Sequence, residues 1–238
     1  MNSWNQLADL FGCRWDDAEI PACAADNVCI AWPAILTALD QGLPDKAPLT
    51  VLDYGCGGGL FCRQLHALGH RVSGYEPAAE LLRAARENVP PEVVLTSDPA
   101  ALAAHAPFDA IVTIMVLPFI ADLYGVVASL AEWLRPDGVV VTAVFDAAFV
   151  RDNAGEGRLF PEYSAEAGVG LIELKAGVRL PVFIRGGETY QEAFARHGLR
   201  EIARARPPFT PEFLAAHPQS FATRQPEYLI QVFRRHAN

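Results

Sequence analysis

Lysine is almost missing from this chain, with two residues against 17 arginines, and 19 basic side chains face 28 acidic ones for a net charge of −9. That balance cannot assemble a dominant cationic face, which argues against nucleic acid or an anionic membrane as partner. The five cysteines, Cys13, Cys23, Cys29, Cys56 and Cys62, include no C-x-x-C, so neither a disulfide framework nor a zinc site is indicated. None of the six histidines stands in a metal-ligand spacing, and no metal is expected. No apolar run reaches membrane-spanning length, and "MNSWNQLADLFG" lacks the basic and apolar regions of a secretory leader. The expectation is a soluble protein in a reducing, cytoplasmic compartment. Oligomeric state leaves no trace in the sequence.

What is present is apolar and periodic. Of the 238 residues 51% are hydrophobic and 20% charged, enough for a large core and too ordered a composition for wholesale disorder. Charge is uneven: residues 1–45 hold seven carboxylates and one Arg, whereas 179–238 hold nine Arg and five Glu. Residues 3–12 and 25–42 read as helices, the second interrupted by Pro33, which predicts a kink or break. From residue 49 short apolar runs alternate with helical stretches. Strands are expected at Thr50–Tyr54, Arg71–Tyr75, Val93–Leu95, Ala110–Ile114 and Val139–Val144. Helices are expected at Leu60–Leu68, 77–88 and 120–134, the last ending in a turn at Arg135–Gly138. Continuous Val-rich runs between helices mean a parallel sheet covered on both faces. Downstream, 151–168 reads as loop and 169–184 as a hairpin turning at Lys175-Ala176-Gly177, with Pro181 putting its second strand at an edge. A helix at 188–198, a strand at 199–205 and a final strand "EYLIQVF" complete the pattern.

One stretch stands apart: "VLDYGCGGG", with four glycines in its last five residues, opening directly into a helix. A glycine-rich turn after a strand sits at the carboxyl edge of a parallel sheet, where such folds bind ligands. The dinucleotide fingerprint G-x-G-x-x-G nevertheless fails, because counting from Gly55 puts Leu60 where its third glycine belongs.

"VLDYGCGGGLFCRQL" resembles the first motif of class I S-adenosylmethionine-dependent methyltransferases. "VSGYEP", "TSDPAAL", "FDAIVTIMVLPFI" and "LRPDGVVVTAVF" fall where that family places strand two and its acid, the acid after strand three, strand four, and the turn into strand five. The likeness spans about residues 48–146. It implies a Rossmann-like, doubly wound α/β fold with a mostly parallel seven-stranded sheet and helices on both faces. It further implies a helical lid at 1–45, a methyltransferase domain at 46–238, an insert at about 147–186 and closing elements at 187–238.

The resemblance also implies a cofactor site for S-adenosyl-L-methionine. Gly55, Cys56 and Gly57 would bring backbone to its methionine part, with Asp53 below and the Thr113 carbonyl available to its ammonium. Glu76 would accept from the ribose diol, Asp98 from the adenine amino group beside Pro99, and Pro77, Ile114 and Met115 would offer apolar faces to the purine. Asp98 would equally serve as a helix N-cap before "PAALAA". The acceptor is expected to be a small metabolite offering an O, N or C nucleophile, since the D/N-P-P-Y/F signature of nucleic-acid amino methylation is missing after strand four. Trp4, Trp15 and Trp32, with Phe11, would line a lid, joined by Tyr163 on the substrate side. Candidates for a general base are Asp146, Tyr163 and His197. A nicotinamide-dependent oxidoreductase and a non-catalytic cofactor-binding module remain the rival readings.

Overall fold

A computed structural model describes residues 3–12, 20, 24–44, 48–217 and 223–235. The N-terminal part runs as a 3-10 turn (Ser3–Leu7), α1 (Ala8–Phe11), a π-helical turn (Asn27–Ala31) and α2 (Trp32–Gly42). Pro33, which lacks an N–H, stands in the first turn of α2, so the predicted interruption takes the form of a widened turn just before it. The sheet then unfolds as β1 (Thr50–Tyr54), α3 (Leu60–Ala67), β2 (Arg71–Tyr75), α4 (Ala79–Asn88), β3 (Val94–Thr96), α5 (Pro99–Leu102), β4 (Phe108–Ile114), α6 (Leu123–Trp133) and β5 (Leu134–Phe145). It continues through α7 (Ala147–Asp152), β6 (Glu162–Ser164), β7 (Val169–Lys175), β8 (Val178–Phe183), α8 (Gly187–Ala195), β9 (Leu199–Ala205), α9 (Pro211–Ala216) and β10 (Tyr228–Arg235).

Seven strands form one sheet in the order β3-β2-β1-β4-β5-β10-β9, parallel from β3 to β5 and antiparallel on both sides of β10. This is the mostly parallel, Rossmann-like architecture expected. Successive side chains of each strand point to opposite faces of the sheet. Val51, Val112, Val139 and Val141 pack on one side with α2 and the small sheet, while Leu52, Ile111, Val140 and Val144 pack on the other with α6 and α8. Both faces are therefore covered, which is why the central strands read as unbroken apolar runs. The order in which strands are added reverses between the parallel neighbours β1 and β4, and a crevice opens at their carboxyl ends.

Several boundaries differ from expectation for local reasons. The helix predicted at 120–134 starts at Leu123 because the Asp122 carboxylate caps it, accepting from Gly125 N–H at 2.9 Å. The expected turn at 135–138 lies within β5, where Asp137 takes φ +60 beside a register shift opposite Phe108 and Ala110. The segment read as loop contributes β6, a three-residue strand added to β7, so the insert is a three-stranded sheet in the order β6-β7-β8. Pro181 lies on β8, an edge strand, as its missing donor requires. Among the described residues no helix is long and apolar enough to cross a membrane.

Candidate active site

The crevice deepens into a cavity of about 540 Å³ walled by the glycine turn, the end of β2, the loop after β4, the N-terminal elements and the small sheet. Its floor is the turn itself, hung from β2 by Gly55 and Cys56 N–H, which both donate to the Tyr75 carbonyl at 2.8 and 2.9 Å. Two glycines there have distinct reasons. Gly57 has φ +54, and a Cβ on it would meet nothing within 4 Å, so this stretch of backbone is bare toward the cavity. A Cβ on Gly58 would lie 2.2 Å from the carbonyl oxygen of Phe11, so main chain from the N-terminal segment rests directly on it. Asn88 fastens that contact, its Nδ2 donating to both Gly12 O at 3.1 Å and Gly58 O at 2.8 Å.

Glu76 closes β2 and is 6% exposed. Its Oε2 accepts from Gly57 N–H at 3.0 Å and its Oε1 from Ala78 N–H at 2.8 Å, which leaves further lone pairs for a ligand diol. Burial raises its pKa above the ordinary carboxylate value, and the two backbone donors pull it back. Asp53, below the turn, accepts from the Cys62 thiol at 3.3 Å. Burial pushes its carboxyl up to about 7, against the Cys62 hydrogen bond and with help from the charge of Glu76. Met115 follows β4 in the left-handed region, φ +53, and faces the cavity beside Ile114. Tyr54 and Tyr75 stack at 4.8 Å on the same wall.

Of the residues expected around a cofactor, Asp53, Gly55, Cys56, Gly57, Glu76, Pro77 and Met115 wall the cavity, whereas Asp98, Pro99 and Thr113 do not. Asp98 is exposed and caps α5, accepting from Ala100 N–H at 2.9 Å. Thr113 is fully buried in the sheet opposite Thr142. On the substrate side Trp4 and Trp32 are in the wall, packed on Phe119 at 4.8 Å and Phe61 at 5.2 Å. Trp15 lies outside the described residues.

None of the three candidate bases reaches the cavity. Asp146 caps α7 through Ala148 N–H at 2.8 Å and pairs with Arg206 Nε at 2.6 Å, so both oxygens are committed to structure. Tyr163 sits on β6 and packs against the core from outside the wall. His197 precedes β9, whose Leu199 pairs with Arg235 near the start of β5, and so belongs to the opposite edge of the sheet. An aspartate just past a strand end reads as chemistry in one dimension; its arginine partner, 60 residues on, is visible only in three.

Four wall residues carry no signature in the sequence: Asp26, Asn27, Glu227 and Tyr228. Tyr228 donates to Asp26 Oδ2 at 3.1 Å across a separation of 202 residues. Arg185 was equally silent, yet its guanidinium grips the carbonyls of Leu117, Ile120 and Ala121 at 2.7–3.0 Å and fixes the loop that brings Phe119 into the wall.

A family model described as a methyltransferase domain matches residues 31–202. The chain belongs to that family. Within the methyltransferase-domain family, a ubiquinone biosynthesis O-methyltransferase from Methylobacterium sp. is 32% identical over 105 residues, covering 42% of this chain and 42% of the relative. A protein of the same name from Thiobacillus denitrificans is 35% identical over 106 residues, covering 40% and 45%. The chain thus spans less than half the length of these curated relatives. Among solved structures, an S-adenosylmethionine dependent methyltransferase from Mesorhizobium loti aligns at TM-score 0.65 and 23% identity, over 85% of this chain and 98% of that one. The N-methyltransferase NodS from Bradyrhizobium japonicum, in complex with S-adenosyl-l-homocysteine, aligns at 0.63 and 15%, over 98% and 99%. At such identities the likeness is one of fold, and it extends across nearly the whole of this methyltransferase-domain chain.

Proposed function

We propose that this protein transfers a methyl group from S-adenosyl-L-methionine to an oxygen, nitrogen or carbon nucleophile of a small biosynthetic metabolite. The observation that carries the reading is the Glu76–Gly57 hydrogen bond. It ties a sealed carboxylate at the tip of β2 to a bare glycine backbone in one cavity wall. A nucleoside diol and an amino-acid tail joined in one molecule fit that pairing of acceptor and open backbone. The cofactor, when bound, supplies a sulfonium methyl that is already activated. The residues of this chain therefore have to bind, orient and exclude water. Gly55–Gly57 would pass the methionine part along the backbone, Glu76 would hold the ribose, and Asp98 would offer its uncommitted Oδ2 at the rim, near enough to Tyr75 for its charge to raise that hydroxyl's pKa after burial and Glu76. Pro77, Ile114 and Met115 would cover the base.

Trp4, Phe11 and Trp32 in the wall support residues 1–45 as a lid over the acceptor, and Leu159, Ile172 and Leu174 support 147–186 as a substrate-side insert. The core at 48–146 and the elements at 187–238 complete the proposed methyltransferase domain. A nicotinamide ligand is disfavoured by Leu60, a buried side chain where a dinucleotide turn needs glycine. Isothermal calorimetry decides between them. Binding of S-adenosylhomocysteine, with no heat from NADH, is expected, whereas silence with both the methyl donor and its product would overturn the proposal.

A further inference from the structure

The end of the cavity away from the glycine turn is polar where nothing in the fold asks for polarity. Asp26 and Asn27 enter it from the π-helical turn, and Glu227 and Tyr228 from the start of β10. Glu227 is 5% exposed and anchored by its own carbonyl, which accepts from Asp146 N–H at 2.7 Å at the carboxyl edge of β5. Its side chain therefore cannot drift to solvent without unpicking the sheet edge. Asp26 Oδ1, Asn27 Oδ1 and Glu227 Oε2 are all shielded from solvent and receive no hydrogen bond. The local hydroxyl, Tyr228, has already given its proton to Asp26 Oδ2.

Structural acids of the same chain are treated differently. Asp146 has Arg206 and a backbone N–H, and Asp109 has Arg135 and Thr50 N–H. Three acceptor oxygens in one wall with no donor are a hydrogen-bonding deficit that a bound molecule has to fill. The deficit has a sign. The ligand must bring N–H or O–H donors, and it must be cationic or neutral, since a carboxylate or phosphate would meet the negative charge of Asp26 and Glu227. An ammonium offers three donors from one atom, matched to three oxygens; a hydroxyl offers one. The rest of the wall sets the body of the ligand. Trp32, Phe61 and Phe145 are apolar and aromatic, so the amine belongs to a compact, largely hydrophobic molecule.

We infer that the cluster Asp26–Asn27–Glu227 is an acceptor-recognition site for a protonated amine, and that the metabolite methylated by this protein carries a basic nitrogen on an apolar or aromatic frame. This rests on the methyltransferase reading for the word "acceptor", while the amine site stands on its own geometry. The Asp26 and Glu227 carboxyls lie within hydrogen-bonding reach of one another, and burial together with the Asp26 charge drives the Glu227 carboxyl well above its ordinary pKa.

The test compares 2-phenylethylamine with 2-phenylethanol at pH 7, by calorimetry on the full chain with and without saturating S-adenosylhomocysteine. The amine is expected to bind at least tenfold more tightly than the alcohol. Glu227→Gln and Asp26→Asn are each expected to reduce that preference below threefold while leaving S-adenosylhomocysteine affinity within twofold. Circular dichroism identifies a variant that has failed to fold, and the other variant then carries the comparison. Equal affinities for amine and alcohol, no binding of either, or a preference that survives both substitutions would overturn the inference. Loss of S-adenosylhomocysteine binding by the wild-type chain would instead sink the methyltransferase reading, and the amine preference would still be read from the free protein.

Discussion

At the glycine-turn end of the cavity, each oxygen of Glu76 accepts from a backbone N–H before any ligand arrives. At the far end, Glu227 and Asp26 each keep an oxygen that nothing in the chain satisfies. The first arrangement is preorganised: the acid braces the turn that it would later share with a cofactor. The second is left incomplete, and an unpaired buried acceptor costs about 1–3 kcal/mol. Two carboxylates in one cavity thus play opposite parts, one stabilising the empty protein and one stabilising only the filled one. Asp53 stands between the two cases, buried beneath the turn with a weak thiol donor as its partner.

The sharpest way to probe this contrast is through Asp53. Burial pushes its carboxyl up to about 7 in the folded protein, against about 3.9 for an exposed aspartate. As pH rises from 4 to 7 the unfolded chain loses this proton first, so the native state is progressively penalised. About three pKa units correspond to at most about 4 kcal/mol. Asp53→Asn removes the penalty. Thermal melts without cofactor should show the variant matching wild type near pH 4 and exceeding it increasingly up to pH 7.5. A stability gap that ignores pH would mean Asp53 is ionised in the fold and belongs with Glu76.

A smaller effect, and of opposite sign, is expected on the preorganised side. Glu76→Ala removes the partner of two backbone donors as well as the proposed ribose contact. It should weaken S-adenosylhomocysteine binding by about 2 kcal/mol, or about 30-fold. Unchanged affinity by calorimetry would remove Glu76 from the cofactor end. The smallest effect tests how the N-terminal cover is held. Asn88→Ala breaks the bridge between Gly12 and Gly58 and should cost about 1 kcal/mol. Hydrogen exchange should then rise in residues 3–12 and stay unchanged in 24–35, if cover and amine site are independently fastened.

Legibility followed sequence distance. β1 and β2 fall on the expected residues because each is a short run with a buried centre, followed by the glycine turn or the acid at its tip and then by a helix. β6 escaped because "EYS" has no periodicity, and only its pairing with β7 makes it a strand. The same division runs through the site. The glycine turn and the acid 23 residues after Asp53 are linked by one strand–helix–strand unit, and both stand in the cavity wall. Asp146 looked equally well placed, but Arg206 had taken it. His197 lies just past α8, which ends at Ala195 and has already returned the chain to the edge where β9 begins, away from the cavity.

By itself the sequence determined the alternating parallel architecture, the glycine-rich turn and the acid at the tip of β2, because local period and short spacing encode them. Only the tertiary structure decided which carboxylates are satisfied and which wait for a ligand. Asp26 and Glu227 are 201 positions apart, and the one oxygen on each that receives no hydrogen bond is a property of everything packed around them, which no stretch of chain records.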